Sequence, residues 1–136
     1  MQKFIAGFVL ILLVFTLTGC AEKSKTYTLE KFLKNKEELV DKHFIIKGYV
    51  DYFRPCSSQE ECTGVNYIII TDKKQGTDRT RMIINFNYDQ RATFNHLKTF
   101  DTVKMVVKYH SERPENGGSS NETGFFTLRD FVSVEK

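Results

Sequence analysis

The fold of this chain is decided by one stretch of its sequence, His43-Phe44-Ile45-Ile46-Lys47-Gly48-Tyr49-Val50-Asp51-Tyr52-Phe53. Apolar side chains recur on one side of it at Phe44, Ile46 and Val50, and this period of two predicts a long β-strand. Gly48 interrupts the apolar side, and a glycine inside a strand usually marks a bend, a bulge or a close backbone approach. A long strand that bends can pair with neighbours at both of its ends, so the sequence favours a small closed barrel.

Four more strand-like runs follow this stretch, with alternating apolar residues or many β-branched residues. They cover residues 65–72, 81–86, 102–112 and 124–134. Between the second and third of these runs, residues 87–97 indicate a short helix. Before the long strand, Thr28 can cap a helix that begins at Leu29 and that Asn35 divides into two short pieces. The predicted order is therefore helix, three strands, helix, two strands.

This order is that of the OB-fold, a five-stranded Greek-key barrel with a helix between its third and fourth strands. Further motifs are Phe44-x-Ile46-x-Gly48-x-Val50, Tyr67-x-x-Ile70-x-Asp72, Leu97-x-x-Phe100-Asp101-x-Val103 and Leu128-Arg129-Asp130. With them, residues 29–136 resemble the small bacterial OB-fold domains of the tRNA-anticodon-binding-like group. The chain departs from that group at Phe100, where such domains usually carry Gly, so we expect the turn into the fourth strand to be built differently. The resemblance implies a fold and does not imply an RNA function.

Length and composition agree with one small domain. The chain has 136 residues, of which 40% are hydrophobic and 27% charged, and this is a globular rather than a disordered composition. Its net charge of +3 is too small to favour a nucleic-acid partner, which usually meets a concentrated basic face. We predict a mainly β OB-fold domain over residues 27–136.

The amino-terminal segment has the features of a bacterial lipoprotein signal in the expected order. Lys3 precedes an apolar run over residues 4–16, and Leu17-Thr18-Gly19-Cys20 follows it. In lipoproteins of this kind the cysteine takes a diacylglycerol thioether, a dedicated peptidase cuts before it, and its amine is often acylated, for example by palmitate. The resemblance implies a signal peptide over residues 1–19, a lipid on Cys20 and a linker to residue 26. The alternative is an ordinary secretory signal with an incidental cysteine.

The residue after Cys20 bears on which membrane of the cell envelope the lipoprotein is sorted to. Ala21 stands there, and the absence of Asp resembles the outer-membrane sorting signal of bacteria with two membranes. In such a host the domain would face the periplasm from the outer membrane, and otherwise it would lie on the outer face of the cell membrane. The linker over residues 21–26 spans at most about 20 Å, so the domain would lie close to the membrane.

Two further cysteines, Cys56 and Cys62, lie in the loop after the long strand. Because an exported compartment is oxidising, a disulfide between them is the leading interpretation, and it would stabilise the domain by roughly 2 kcal/mol in the chain-entropy model. A metal site and a reactive thiol pair are the alternatives. Metal motifs usually place two cysteines closer and add a second pair, so we predict no metal and no cofactor besides the covalent lipid.

The outer face of the second and third predicted strands is the candidate ligand or partner face. The alternation predicts six outward side chains on this face, which are Tyr67, Ile69, Thr71, Arg81, Ile83 and Asn85. OB-folds present this face to ligands, and its isoleucines need a cover. The amino-terminal helix, an envelope protein partner and an oligosaccharide are the three candidates. Tyr67 is the only aromatic residue predicted there, which does not favour a nucleic-acid groove.

Enzyme signatures are missing from the sequence, which has no Gly-rich phosphate loop, no Gly-x-Ser-x-Gly and no His-Glu-x-x-His. The sequence therefore favours a non-catalytic OB-fold binding module, tethered to the cell envelope by lipid. The alternatives are a structural subunit of an envelope protein complex and a binder of oligosaccharide or oligonucleotide.

We expect replacement of Cys20 by alanine to leave an uncleaved precursor without a thioether lipid, because the thiol is the nucleophile of the lipid transfer. Mass spectrometry of the membrane-extracted chain measures both the cleavage and the acyl mass. A wild-type mature chain that starts elsewhere and carries no acyl mass would contradict the prediction.

Overall fold

The computed structural model describes residues 25–54, 66–87, 89–90, 94, 96–113, 115 and 118–136. Its strands are β1 (Thr26–Thr28), β2 (His43–Arg54), β3 (Tyr67–Thr71), β4 (Arg81–Asn85), β5 (Thr102–His110) and β6 (Phe125–Glu135). Helix α1 spans Leu29–Lys34 and is followed by a 3-10 turn over Lys36–Leu39. The prediction of a mainly β chain is confirmed.

All five predicted strands are present, as β2 to β6. The prediction of five strands is nevertheless wrong by one, because β1 pairs with β2 and completes a six-stranded mixed sheet. Three residues are too few to show a periodic pattern, so β1 has no signal in the sequence. The predicted helix over residues 87–97 lies partly outside the described residues, although Phe94 and Leu97 from that segment are buried in the core.

The long strand pairs at both ends, as its length and its glycine predict. Residues 43–49 of β2 pair antiparallel with β5, and residues 49–54 pair antiparallel with β3. β3 continues antiparallel to β4, β4 runs parallel to β6, and β6 runs antiparallel to β5. The pairings therefore pass from β2 through β3, β4, β6 and β5 back to β2, while β1 lies parallel to β2 outside this circuit.

The inner side of β2 forms part of one hydrophobic core. A Cβ atom at Gly48 would lie 3.0 Å from Ile70 Cδ1 and 3.1 Å from the Thr71 carbonyl oxygen, so β3 approaches β2 closely at this glycine. The buried side chains from the strands include Phe44, Ile46, Val50, Ile68, Ile70, Met82, Ile84, Val103, Met105, Val107, Phe126 and Leu128. The core thus draws on every strand from β2 to β6.

Helix α1 caps this core beside β2, β5 and β6. Its predicted N-cap is confirmed, because the Lys31 amide donates to Thr28 Oγ1 at 3.3 Å. The Phe32 ring stacks on Phe44 with centroids 5.4 Å apart and meets Phe126 edge-on at 5.2 Å. Because these rings lie on β2 and β6, one turn of helix joins two parts of the sheet that are distant in sequence.

Phe100 adopts a left-handed backbone conformation, with φ of 75°. Its amide donates to the Val50 carbonyl at 2.7 Å, and the Val50 amide donates to the Asp101 carbonyl at 2.9 Å. This is a conformation that glycine adopts without strain. Phe100 therefore occupies a conformation that favours glycine, with a side chain that is 41% exposed.

We expect Phe100→Gly to be more stable than Phe100→Ala by about 1 kcal/mol. Both variants lose the ring, and only alanine keeps a Cβ in the left-handed region, so their difference isolates backbone strain. Urea denaturation measures the two free energies of unfolding. Equal stabilities would show that the turn is unstrained.

Candidate ligand-binding face

A β-bulge in β2 shapes the outer face of the sheet. The register between β2 and β3 shifts between Val50 and Tyr52, so that Tyr49 lies opposite Thr71 and Tyr52 lies opposite Ile69. Asp51 is the additional residue of the bulge. Val50 points inward and is fully buried. The bulge therefore places Tyr49 and Tyr52 on the same outer side, although they are three positions apart in the sequence.

Three tyrosines lie on this outer side, where the sequence predicts only Tyr67. Tyr52 is 48% exposed, and its ring centroid lies 6.1 Å from that of Tyr67. The Lys74 ammonium lies 5.4 Å from the centroid of the Tyr49 ring. We call the surface formed by Tyr49, Tyr52 and Tyr67, together with Ile69 and Ile83, the tyrosine face.

Asp51 also holds two guanidinium groups beside the tyrosine face. Its Oδ1 accepts from Arg79 Nη1 at 2.8 Å, and its Oδ2 lies 3.3 Å from Arg81 Nε. The side chains of Asp51 and Arg79 are both largely buried, whereas that of Arg81 is 54% exposed. The bulge residue thus fixes the position of Arg81 while the cation stays accessible to a ligand.

Two residues of the predicted face are not available to a ligand. Thr71 is 1% exposed, and its hydroxyl donates to the Lys73 carbonyl at 2.8 Å. Asn85 is 8% exposed, and its Nδ2 donates to the carbonyls of Ser119 and Phe126, each at 2.9 Å. Alternation directs both side chains outward, but the loops beyond the strand ends cover them. They therefore hold those loops in place.

Ile69 and Ile83 face each other across β3 and β4, and both are half-buried. The amino-terminal helix was one candidate for their cover. In the structure the buried residues of α1, Leu29 and Phe32, enter the core instead. The buried residues of the helix therefore do not cover Ile69 and Ile83. The two isoleucines remain part of the tyrosine face, with Tyr67 and next to Arg81.

A cavity of about 460 Å³ adjoins the tyrosine face at Tyr49. Its volume lies within the range of small-molecule sites, about 300–1,000 Å³. Its lining comes from α1, the middle of β2 and the connection between β3 and β4, and includes Leu29, Leu33, Lys47, Tyr49, Asp72, Lys73 and Thr80. The sequence gives no signal for this cavity, because its walls come from segments that lie far apart in the chain.

In the described part of the chain, no group of three or more His, Cys, Asp or Glu side chains could hold a metal ion. Within the same ranges, no helix is both long and apolar enough to cross a bilayer. Cys20, Cys56 and Cys62 lie outside the described residues, so the lipid and the disulfide stay predictions.

Comparisons with known proteins concern the fold. No family model matches the chain, and no curated protein matches it in sequence. The structure is similar to a "putative nucleic acid-binding lipoprotein" of Klebsiella pneumoniae, with a TM-score of 0.53 and 21% identity, over 85% of this chain and 94% of that chain. It is also similar to a "putative aspartyl-tRNA synthetase" of Leishmania major, with a TM-score of 0.51 and 12% identity, over 89% of this chain. The chain spans 23% of that synthetase. At such identities the likeness shows the fold alone.

We expect Asn85→Ala to destabilise the domain by about 2–3 kcal/mol, because it leaves the buried carbonyls and the Ser119 amide without their partner. Chemical denaturation measures the loss. The matched control is Asn87→Ala, an exposed asparagine two residues away, for which we expect a change within about 0.5 kcal/mol. Equal effects of the two substitutions would contradict the bracing role of Asn85.

Proposed function

We propose that this chain is a lipid-anchored, non-catalytic binding module of the cell envelope, and that its tyrosine face binds single-stranded nucleic acid. One observation carries the proposal. The bulge at Asp51 sets Tyr49 and Tyr52 on the same outer side as Tyr67, which creates a row of aromatic side chains next to an exposed guanidinium.

Aromatic side chains of this kind are stacking platforms for bases. Base–aromatic stacking contributes about 1–3 kcal/mol for each base and tolerates any sequence. Arg81, Lys73 and Lys74 border the tyrosines and supply positive charge for the phosphates. The small net charge of the chain argues for a short site of a few nucleotides, because few phosphates would be neutralised.

The strand pairings support an OB-fold as the framework of the site. The order β2, β3, β4, β6, β5 and back to β2 is that expected for a five-stranded Greek-key barrel, with β1 added outside it. The tyrosine face then lies on the first three barrel strands, where OB-folds present ligand-binding surfaces. The description of the similar Klebsiella pneumoniae lipoprotein as nucleic acid-binding is in line with this proposal.

The membrane part of the proposal comes from the amino-terminal segment. A lipid on Cys20 would tether the domain to the outer membrane in a host with two membranes, or to the outer face of the cell membrane otherwise. The described domain begins at Lys25, five residues after this cysteine. A binding module so placed would act at the envelope surface and not in the cytoplasm.

We expect Tyr52→Ala to weaken binding of a short single-stranded oligonucleotide about tenfold, because one stacking contact is lost. Tyr52→Phe keeps the ring and should bind like the wild type. Fluorescence anisotropy with a labelled oligothymidylate measures the Kd at fixed salt. Val132→Ala, at an exposed position of β6, is the control. Failure of the wild type to bind, or equal binding by Tyr52→Ala, would contradict the proposal.

Sugar rings also stack on tyrosines, so the same assay includes a neutral oligosaccharide. Oligonucleotide binding should fall steeply as salt rises, because phosphate contacts release counterions. If the neutral oligosaccharide binds with the same affinity at low and high salt, and the oligonucleotide does not bind, the tyrosine face is assigned to a glycan.

A protein partner is the second candidate, and the half-buried Ile69–Ile83 pair favours it, since an apolar pair with polar neighbours resembles a contact patch. We then expect Ile83→Glu to change the free energy of unfolding by less than about 1 kcal/mol and to abolish crosslinking to the partner in native membranes. Ile84→Glu is the matched control, because Ile84 is fully buried and a carboxylate there should unfold the domain. A large loss of stability in Ile83→Glu would show that Ile69 and Ile83 are core residues and not a partner contact.

A further inference from the structure

A second surface, on the half of β2 that pairs with β5, carries cations in register. The outer positions of β5 include Lys104 and Lys108, which alternate with fully buried side chains. In the antiparallel pairing with β2, Lys104 lies opposite Lys47, and Lys108 lies opposite His43. Like charges directly opposite each other destabilise a strand pair. The sheet therefore holds two lysines where their charges repel.

Asp41 interacts electrostatically with Lys108, and Asp130 lies opposite Val106 on β6, but close ion pairs to these cations are few. Lys47 Nζ lies 3.9 Å from Glu135 Oε2 with both side chains solvent-exposed, so this ion pair is weak. Among the described residues, no carboxylate oxygen lies within 4.0 Å of the Lys104 or Lys108 ammonium. Asp41 lies in the same region and is hydrogen-bonded to the Ser111 amide at 3.1 Å and to its hydroxyl at 3.0 Å.

Two apolar side chains lie between the Lys47–Lys104 pair and the His43–Lys108 pair. Ile45 and Val106 face each other across β2 and β5, and both are half-buried. We call the surface formed by these two residues and their neighbours the basic face; its members are His43, Ile45, Lys47, Lys104, Val106 and Lys108. An apolar centre bordered by lysines suits the interface of a bilayer with anionic headgroups.

The chain enters the domain beside the basic face. In β1, Thr26 lies beside Ile45 and Thr28 lies beside Lys47. Cys20 lies five residues before Lys25, and five extended residues span at most about 18 Å. A lipid on Cys20 would thus hold this surface near the bilayer. The tyrosine face, which uses the other half of β2 together with β3 and β4, remains available to a ligand.

We infer that the basic face lies on the anionic headgroups of the membrane to which the chain is tethered. The inference rests on the proposed lipid anchor at Cys20, and it adds the orientation of the domain relative to the membrane. Contact with anionic lipid offsets the repulsion between Lys47 and Lys104 and gives Lys108 a counter-charge.

Lysine footprinting of the mature lipidated chain tests the inference. The chain is reconstituted in vesicles of phosphatidylcholine alone or mixed with phosphatidylglycerol, its amines are acetylated briefly, and mass spectrometry reads each lysine. We expect severalfold slower acetylation of Lys47, Lys104 and Lys108 in the anionic vesicles. Lys74, in the connection between β3 and β4, is the internal control that should not change. At about 1 M salt, where the Debye length is about 3 Å, the protection should disappear.

Equal protection of Lys74 and of the three lysines of the basic face in anionic vesicles would overturn the inference, as would protection of Lys74 alone. Protection by an oligonucleotide and not by anionic vesicles would also overturn it and would assign the basic face to phosphates of a nucleic acid.

A second measurement separates the basic face from the anchor. The chain from residue 20 onward with Cys20→Ser carries no lipid but keeps every core residue, since the core extends from Leu29 to Leu128. Its co-sedimentation with anionic vesicles should weaken about fivefold for each lysine replaced by glutamine at Lys47, Lys104 and Lys108. The triple Lys→Arg variant keeps the charge and should bind like the unsubstituted chain. Equal binding by the glutamine variants, with a native thermal melt, would overturn the inference even if Cys20 is lipidated.

Discussion

The structure depends on β2 pairing with both β5 and β3, which lie in different parts of the circuit of strand pairings. Its twelve residues pair with β5 along one half and with β3 along the other, so its backbone hydrogen bonds are divided between two strands that diverge. The strand must turn between the two halves, and Gly48 and the bulge at Asp51 lie at this point. Gly48 lets β3 approach closely, and the bulge adds the residue that changes the register. Backbone groups inside a protein have to be paired, and the Phe100 turn pairs the amide and the carbonyl of Val50 where the register shifts.

The same division of β2 separates the two proposed surfaces. One half of the strand carries His43, Ile45 and Lys47 outward and borders the segment that leads to the proposed lipid anchor. The other half, past the bulge, carries Tyr52 outward beside Tyr67. A single strand thus connects a surface suited to anionic lipid with a surface suited to ring-bearing ligands. Since both surfaces belong to one rigidly paired element, an orientation imposed at the first is passed to the second.

The strands could be predicted from the sequence because each has enough residues to show its period. β1 could not, since its three residues show no pattern and only their neighbours in space make them a strand. The tyrosine face was half predicted: Tyr67, Ile69, Arg81 and Ile83 follow from alternation. Tyr49 also lies outward by alternation, but in β2, outside the predicted face. Tyr52 does not follow, because a bulge at Asp51 is a property of the pairing and not of the residues. Thr71 and Asn85 follow the alternation correctly, yet both are buried: the Thr71 hydroxyl bonds to Lys73 just after β3, and Asn85 bonds to a loop that is distant in sequence.

The pairing between β4 and β6 is the shortest in the sheet, with two residue pairs, Ile84 with Phe126 and Asn85 with Thr127. The Asn85 amide adds its own hydrogen bonds across this seam, to the Phe126 carbonyl and to the loop at Ser119. Local opening in folded proteins begins where few backbone hydrogen bonds must break together. The amides of β6 that face β4 should therefore exchange with solvent sooner than those between β2 and β5, and an opened seam would offer an edge to which another extended segment could add.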